Sequence, residues 1–402
     1  MKVYFGACGV GLGHVGRCVP VAKQLLKRGS EVLFSTYSDA CDYVDHEGLP
    51  FVEAPPIHFA VREDGGVDFR KTTAYPGAFS VFIFLDQVSA EIKYMRGFRP
   101  DIVVSDSRAS TIMAAKLLGV PVLTVLNLYR ATVPRVRRFL NLARIADGGI
   151  MTVVGRLWNA GEEILIPDFP SPYTLSEGNL VIPPRRRSSV RLIGPILNIR
   201  SSDLPSKEIL RQKLHLGDKP VIFVPISGPA KEKEYFTVQM LKILSKFPEE
   251  YEVVVSLANP NHTLVSRRER NVTIYDWLPN RFEYLKACDA VISRAGLGTI
   301  TQSICFGKPS LIVPTPSHTE QLNNSRRAEE LGVAKVLDQL KLDYDYVLSG
   351  VRELFEEGYV ERAERLRRDV SKFDGMETMV ETIERHSKVC SKTEFFKDTE
   401  YP

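Results

Sequence analysis

The stretch KVYFGACGVGLGHVGRCVPVAKQLLKRG, residues 2–29, decides the fold class. Lys2–Cys8 is an apolar, β-prone run, and Val15–Gly29 is a helix pattern stopped by glycine. Between them stand Gly9, Gly11, Gly13 and His14. A strand, a glycine-rich turn and a helix open a unit that continues into a parallel sheet.

The alternation runs outward from there. EVLFST (31–36), DIVVSD (101–106) and VPVLTVL (120–126) read as strands, with STIMAAKLLG (110–119) as a helix between the last two. The pattern lapses over residues 185–208, rich in Arg, Ser and Pro, and then restarts. PVIFVPIS (220–227), YEVVVSLAN (251–259), VTIYDW (272–277), AVISRAG (290–296) and PSLIVPTP (309–316) are strands, with a helix over 235–247. The expected architecture is α/β: two Rossmann-like doubly wound parallel-sheet domains facing a cleft. Residues 1–190 form the first domain, 191–208 the linker and 209–370 the second. Residues 371–402 are a helix and tail that return to the first domain.

Composition agrees with this and excludes other classes. A chain of 402 residues is too long for one core. The net charge of +4 is concentrated in residues 1–194, with 23 Lys and Arg against 18 Asp and Glu, too mild for a nucleic-acid binder. The longest apolar runs, such as Val81–Leu85, cannot span a bilayer. Six scattered cysteines without a C-x-x-C pair argue against a zinc site or disulfide framework. With no signal peptide before the strand at Lys2, they suit a reducing cytoplasm.

Gly11, Gly13 and Gly16 spell G-x-G-x-x-G, the dinucleotide fingerprint. That fingerprint also needs an acidic residue at the end of the second strand. Here the strand ends in Ser35 and Thr36, Glu31 lies at the wrong edge, and Asp39 lies beyond. The dinucleotide reading weakens. His14 instead stands where the helix begins, and a helix amino terminus disfavours imidazolium, leaving a ring able to accept a proton. A capping or packing histidine is the alternative.

The second half supplies a further constellation. Ser293-Arg294-Ala295-Gly296-Leu297-Gly298-Thr299 follows a strand and opens a helix, a setting in which backbone N–H groups approach a phosphate. The alternative is a plain strand-to-helix turn.

With these residues in view, the chain resembles the B-type (GT-B) glycosyltransferases of families 1 and 28, the latter including MurG. The resemblance runs from the opening glycines to about Ala334. It rests on an ordered set: G-x-G-H, P-D-x-x-x-S-D at 100–106, I-G-P before the connector, D-W-L-P, S-R-A-G-x-G-T and E-Q-x-x-N. It implies an inverting transfer of a sugar from a nucleotide diphosphate-sugar, most often a UDP-sugar, to a hydroxyl acceptor on the first domain. In this resemblance His14 matches the general base and Asp106 the aspartate that orients it, with Gly11 and Gly13 shaping the acceptor-side loop. Trp277 matches the aromatic stacked on the base. Arg294, Gly296, Gly298 and Thr299 match the diphosphate loop, and Ser227 and Gly228 a further phosphate-side turn. Glu320, Gln321 and Asn324 match the residues that read the sugar. Two positions depart from the pattern: Gln302 where a ribose-binding glutamate is usual, and Glu320 where aspartate is common.

The resemblance implies no cofactor beyond the nucleotide-sugar co-substrate, and no metal. Asp343-Tyr344-Asp345 is a literal D-x-D, but a helix follows it and capping explains it. Residues 134–146 carry an apolar stripe with arginines elsewhere, a pattern that rests on an anionic membrane surface or packs on its own domain. The former suits peripheral membrane contact and a lipid-linked acceptor. A nucleotide-sugar hydrolase or 2-epimerase on the same fold is an alternative, and a non-catalytic sugar-nucleotide-binding subunit another.

Overall fold

A computed structural model describes residues 1–57, 78–127, 155–180, 182, 184–228, 230–259 and 266–390. The stretch 134–146 and the terminal tail lie outside the described residues.

Two seven-stranded sheets carry the fold. The first holds β1 (Lys2–Ala7), β2 (Glu31–Thr36), β3 (Phe51–Glu53), β4 (Ile102–Asp106), β5 (Val122–Val125), β6 (Glu163–Ile166) and β7 (Val190–Leu192). Its order is β3-β2-β1-β4-β5-β6-β7, parallel throughout. The second holds β8 (Val221–Pro225), β9 (Glu252–Ser256), β10 (Ser266–Glu269), β11 (Val272–Tyr275), β12 (Ala290–Ser293), β13 (Ser310–Ile312) and β14 (Ala334–Val336). Its order is β10-β11-β9-β8-β12-β13-β14, with β10 antiparallel to β11.

Strand alternation explains the layers. In β1, Val3, Phe5 and Ala7 face the core formed with helix Gly13–Lys27, while Tyr4 faces the opposite core, which holds Met95, Ile112 and Ala115. Both faces are apolar because helices cover both. In the second domain Ile222 and Val224 pack on one side with Phe236 and Met240, and Val221 and Phe223 on the other with Phe282 and Leu285.

Each sheet reverses its winding at one point, between β1 and β4 in the first and between β8 and β12 in the second. Open α/β sheets bind ligands at the carboxyl ends of strands where the order reverses. His14 follows β1 and Asp106 ends β4, with Ala7 paired to Asp106 in register. Ser227 and Gly228 follow β8, and Arg294 to Thr299 follow β12.

The terminal helices divide their loyalties. Helix Tyr359–Val370 packs Ala363, Leu366 and Val370 into the second domain. Helix Gly375–Cys390 places Met379, Val380 and Ile383 in the first-domain core beside Val15 and Val19, and Arg28 pairs with its Glu377 and Glu384. The segment after β6 also crosses between domains. Phe169 and Leu175 are buried with Ala295, Leu297 and Ile300 of the second domain. Asp168 holds that segment by accepting from the Phe169 amide and from the Ser176 amide and hydroxyl. Asp343 caps helix Tyr344–Glu356 by accepting from the Tyr346 amide at 2.8 Å.

Candidate active site

A cleft of about 610 Å³ separates the two domains. Gly11, Gly13 and His14 border it from the first domain. Ser227, Gly228, Trp277, Gly296, Gly298, Thr299, Gln302 and Glu320 border it from the second.

The loop after β1 shows why its glycines are there. A Cβ on Gly9 would lie 2.0 Å from the Tyr37 carbonyl oxygen, and Gly11 has φ +71°, which favours glycine. Gly13 and Gly16 have open space where a Cβ would stand. In a dinucleotide site the last glycine serves close helix–strand packing. Gly16 makes no such approach, so the letters of G-x-G-x-x-G occur here without their physics.

His14 is the second residue of helix Gly13–Lys27, and its Nδ1 lies 2.7 Å from Asp106 Oδ1. Asp106 has no solvent exposure. It does not cap the following helix; that cap position belongs to Arg108. Its other partners escaped the sequence reading. Arg17 donates from Nε to Oδ2 and from one terminal nitrogen to Oδ1, both at 2.5 Å, and from the other to Asn127 Oδ1 at 2.7 Å. The signal was spacing: positions i and i+3 share a helix face, so Arg17 lies beside His14.

Burial pushes the Asp106 carboxyl up, but the Arg17 charge and then His14 outweigh it and hold the group down at about 2, against an ordinary 3.8. The sign follows. A carboxyl depressed on folding contributes stability that is complete above its unfolded value and lost as pH falls through the folded one. Asp106→Asn removes this titration. The unfolding free-energy gap between wild type and the variant is expected to narrow, on the order of 2 kcal/mol, as pH falls from about 4 to about 2. Urea titrations at several pH values check it, and a gap independent of pH in that window would refute the pairing.

In the second domain several of the expected residues also have partners inside the protein. Arg294 borders the cleft, but its side chain is 1% exposed. It donates to the Val313 carbonyl and to Gln339, lies 4.0 Å from Glu232 Oε1, and stacks 4.2 Å from the Phe236 ring centroid. Desolvation lowers its pKa to about 10, opposed by Glu232. The physical reason is strand alternation: Arg294 lies two residues beyond Ile292, which faces the same core as Phe236. Its guanidinium is therefore buried behind the loop after β12, and among the described residues its Nε and one terminal nitrogen have no hydrogen-bond partner.

Gln321 and Asn324 are likewise spent inside the protein. Gln321 donates to Glu232 at 3.1 Å and accepts from the Thr315 amide at 2.9 Å. Asn324 donates to the Ala295 carbonyl and accepts from Asn179 at 3.0 Å, tying the two domains together. They lie on the inner face of helix Thr319–Glu330, and Gln321 as well as Glu320 borders the cleft. Trp277 borders the cleft, but it packs edge-on against Tyr43 and His46 of the first domain, at centroid distances of 6.2 Å and 5.4 Å. It is an interdomain contact at the cleft wall.

The second-domain wall of the cleft carries backbone turns and the side chains of Lys233, Arg281, Gln302, His318 and Glu320. Gly228 has φ +124°, and helix Leu297–Cys305 begins at Gly296 with no side-chain cap. Lys233 borders the same wall and donates to Asn259 Oδ1 at 2.6 Å. Burial lowers its pKa, and Asp39 across the cleft opposes that shift. Among the described residues no group of three His, Cys, Asp or Glu side chains could hold a metal ion, and no helix is long and apolar enough to cross a membrane.

Two strand-reversal points facing one cleft, one carrying a His–Asp pair and the other an uncapped helix start, define the class: the protein is a GT-B glycosyltransferase. Its N-terminal residues 1–147 match the family described as "Glycosyl transferase family 1" and residues 219–378 match "Glycosyltransferase family 28 C-terminal domain", so it is MurG-like. An uncharacterized glycosyltransferase of Methanosarcina acetivorans is 28% identical over 96% of this chain and 98% of its own. A UDP-N-acetylglucosamine–N-acetylmuramyl-(pentapeptide) pyrophosphoryl-undecaprenol N-acetylglucosamine transferase of Bacillus thuringiensis is 25% identical over 88% of this chain and 90% of its own. The glycotransferase of kitacinnamycin shares the fold, with a TM-score of 0.64 at 18% identity, covering 96% of this chain and 98% of that one.

Proposed function

We propose that the protein transfers a sugar from a nucleotide diphosphate-sugar, a UDP-sugar, to a hydroxyl acceptor with inversion at the anomeric carbon. The observation that carries this reading is the shared cleft: the His14–Asp106 pair borders one wall, and the Ser227–Gly228 turn and the helix start at Gly296 border the other.

The diphosphate seats on the Ser227–Gly228 turn and on the amide groups after Gly296, where the helix dipole favours negative charge. Lys233 adds a charge that reaches the cleft. Glu320 and Gln302 face the sugar and ribose, and as a neutral acceptor Gln302 holds ribose more weakly than a carboxylate would. His14 takes the proton of the acceptor hydroxyl as that oxygen attacks the anomeric carbon and the bond to the diphosphate breaks. Asp106 stabilises the imidazolium that forms. Preorganised donors at the departing diphosphate supply the electrostatic part of the catalysis.

A lipid-linked acceptor is supported by the activity of the Bacillus relative, a pyrophosphoryl-undecaprenol N-acetylglucosamine transferase. Such an acceptor places the protein at a membrane surface.

Thermal shift against uridine, guanosine, thymidine and adenosine diphosphates tests the donor seat. A rise with the uridine compound alone is the expected result, since a ligand at a hundredfold its Kd stabilises by about 2.7 kcal/mol. No rise with any of the four overturns the seat. Incubation with the responding donor, followed by NMR of the anomeric proton, tests the reaction. Inverted product formed only with acceptor supports transfer; complete donor turnover without acceptor makes the protein a hydrolase or epimerase.

A further inference from the structure

Arg17 lies at the centre of the acceptor-side wall and has no part in the reaction as proposed so far. Its side chain is 11% exposed, and each of its three nitrogens has a protein partner. Nε and one terminal nitrogen form a two-pronged fork on the Asp106 carboxylate, and the other terminal nitrogen holds Asn127. The prong on Oδ1 also lies 3.0 Å from His14 Nδ1. A guanidinium so occupied is a poor receptor for a substrate anion. Its planar fork fits a carboxylate in one orientation only, and a lysine cannot reproduce it.

A carboxylate with two oxygens can turn about its terminal bond. Arg17 grips both Asp106 oxygens at 2.5 Å, while Cys18 and Ser107 donate to them over longer distances. With that grip, Oδ1 meets Nδ1 of His14 at 2.7 Å. A carboxylate at Nδ1 selects the tautomer that carries its proton there and leaves Nε2 bare. The groups that face this arrangement are Asp106, Arg17 and Cys18, with neutral Ser107 and Asn127. From the second domain, the charge of Glu320 acts on Arg17.

We propose that Arg17 is a positioning residue for the His14–Asp106 pair: its fork fixes the Asp106 carboxylate so that the imidazole presents a bare Nε2 to the acceptor. The role in turnover rests on the transferase reading above; the geometry of the triad does not.

Arg17→Met is expected to lower kcat at least tenfold, with the donor KM changed less than twofold. Arg17→Lys keeps the charge and loses the fork, so kcat still falls. Because Arg17 works through Asp106, Arg17→Met on an Asp106→Asn background should cost no further kcat. That double variant also removes both buried charges, so it folds where Arg17→Met alone fails. A full additional tenfold loss in the double variant, or a rise in donor KM at unchanged kcat in Arg17→Lys, overturns the proposal.

The nitrogen-15 spectrum of the His14 ring reads the same point without turnover. Wild type should show one tautomer, protonated at Nδ1, and Arg17→Met or Arg17→Lys should lose that single state. If the variants keep the wild-type spectrum, Arg17 does not position the ring. If the spectra change as expected while no donor supports transfer, the transferase reading fails and the positioning role stands.

Discussion

His14→Ala is expected to lower kcat by about 10²–10⁴-fold, the usual worth of a positioned general base, while donor affinity stays within a factor of two. Among the described residues the ring's hydrogen-bond partners, Asp106 and Arg17, both belong to the first domain. Folding should survive, because Asp106 keeps both Arg17 bonds when the imidazole is gone. The variant therefore separates chemistry from structure in a way Asp106→Asn does not, since that change strands Arg17 without its counter-charge. The measurement is steady-state kinetics over a range of donor and acceptor concentrations, with donor binding by calorimetry. Unchanged kcat would remove His14 from the reaction and leave the helix start and glycine loops as a binding surface only. A loss of donor affinity equal to the loss of kcat/KM would make the ring a donor ligand instead of a base.

What was legible in the sequence divides by physical type. Periodicity is written in local order, so the alternation from Lys2 to Asp106 and from Pro220 to Pro316 shows two doubly wound sheets, and both reversal points carry the expected motifs. His14 and Asp106, 92 positions apart, were brought together by resemblance and then by a 2.7 Å contact. Direction was harder. Whether a side chain enters the cleft or the core depends on the face of its strand or helix. Arg294 shares the parity of Ile292, and Gln321 and Asn324 lie three apart on the face that carries Ser325 and Ala328 inward. Those parities were available, but a motif read as a string conceals them. The surroundings of Trp277 were hidden for another reason. Its neighbours Tyr43 and His46 are more than two hundred positions away, and no local pattern reports an interdomain contact.

The buried cation of the second domain gives the other large effect. Arg294→Met is expected to destabilise the protein by about 3–5 kcal/mol, because it leaves Glu232 as a charge in the interior without a cation. Glu232 is 2% exposed, and its remaining donors are Thr315 and Gln321, both neutral. Two neutral hydrogen bonds satisfy lone pairs but do not compensate a full charge at this depth. The double variant Arg294→Met/Glu232→Gln removes both charges and should recover most of the loss, since a well-packed neutral pair replaces an ion pair at little cost. Urea unfolding of the two variants, with donor binding measured on each, decides between two roles for this arginine. If it is an ion-pair partner, the double variant regains stability and binds the donor nearly as well as wild type. If the single variant keeps its stability within about 1 kcal/mol and instead loses donor affinity tenfold or more, the guanidinium leaves Glu232 to meet the diphosphate, and the strand parity that places it among Phe236 and Gln339 describes only the unliganded state.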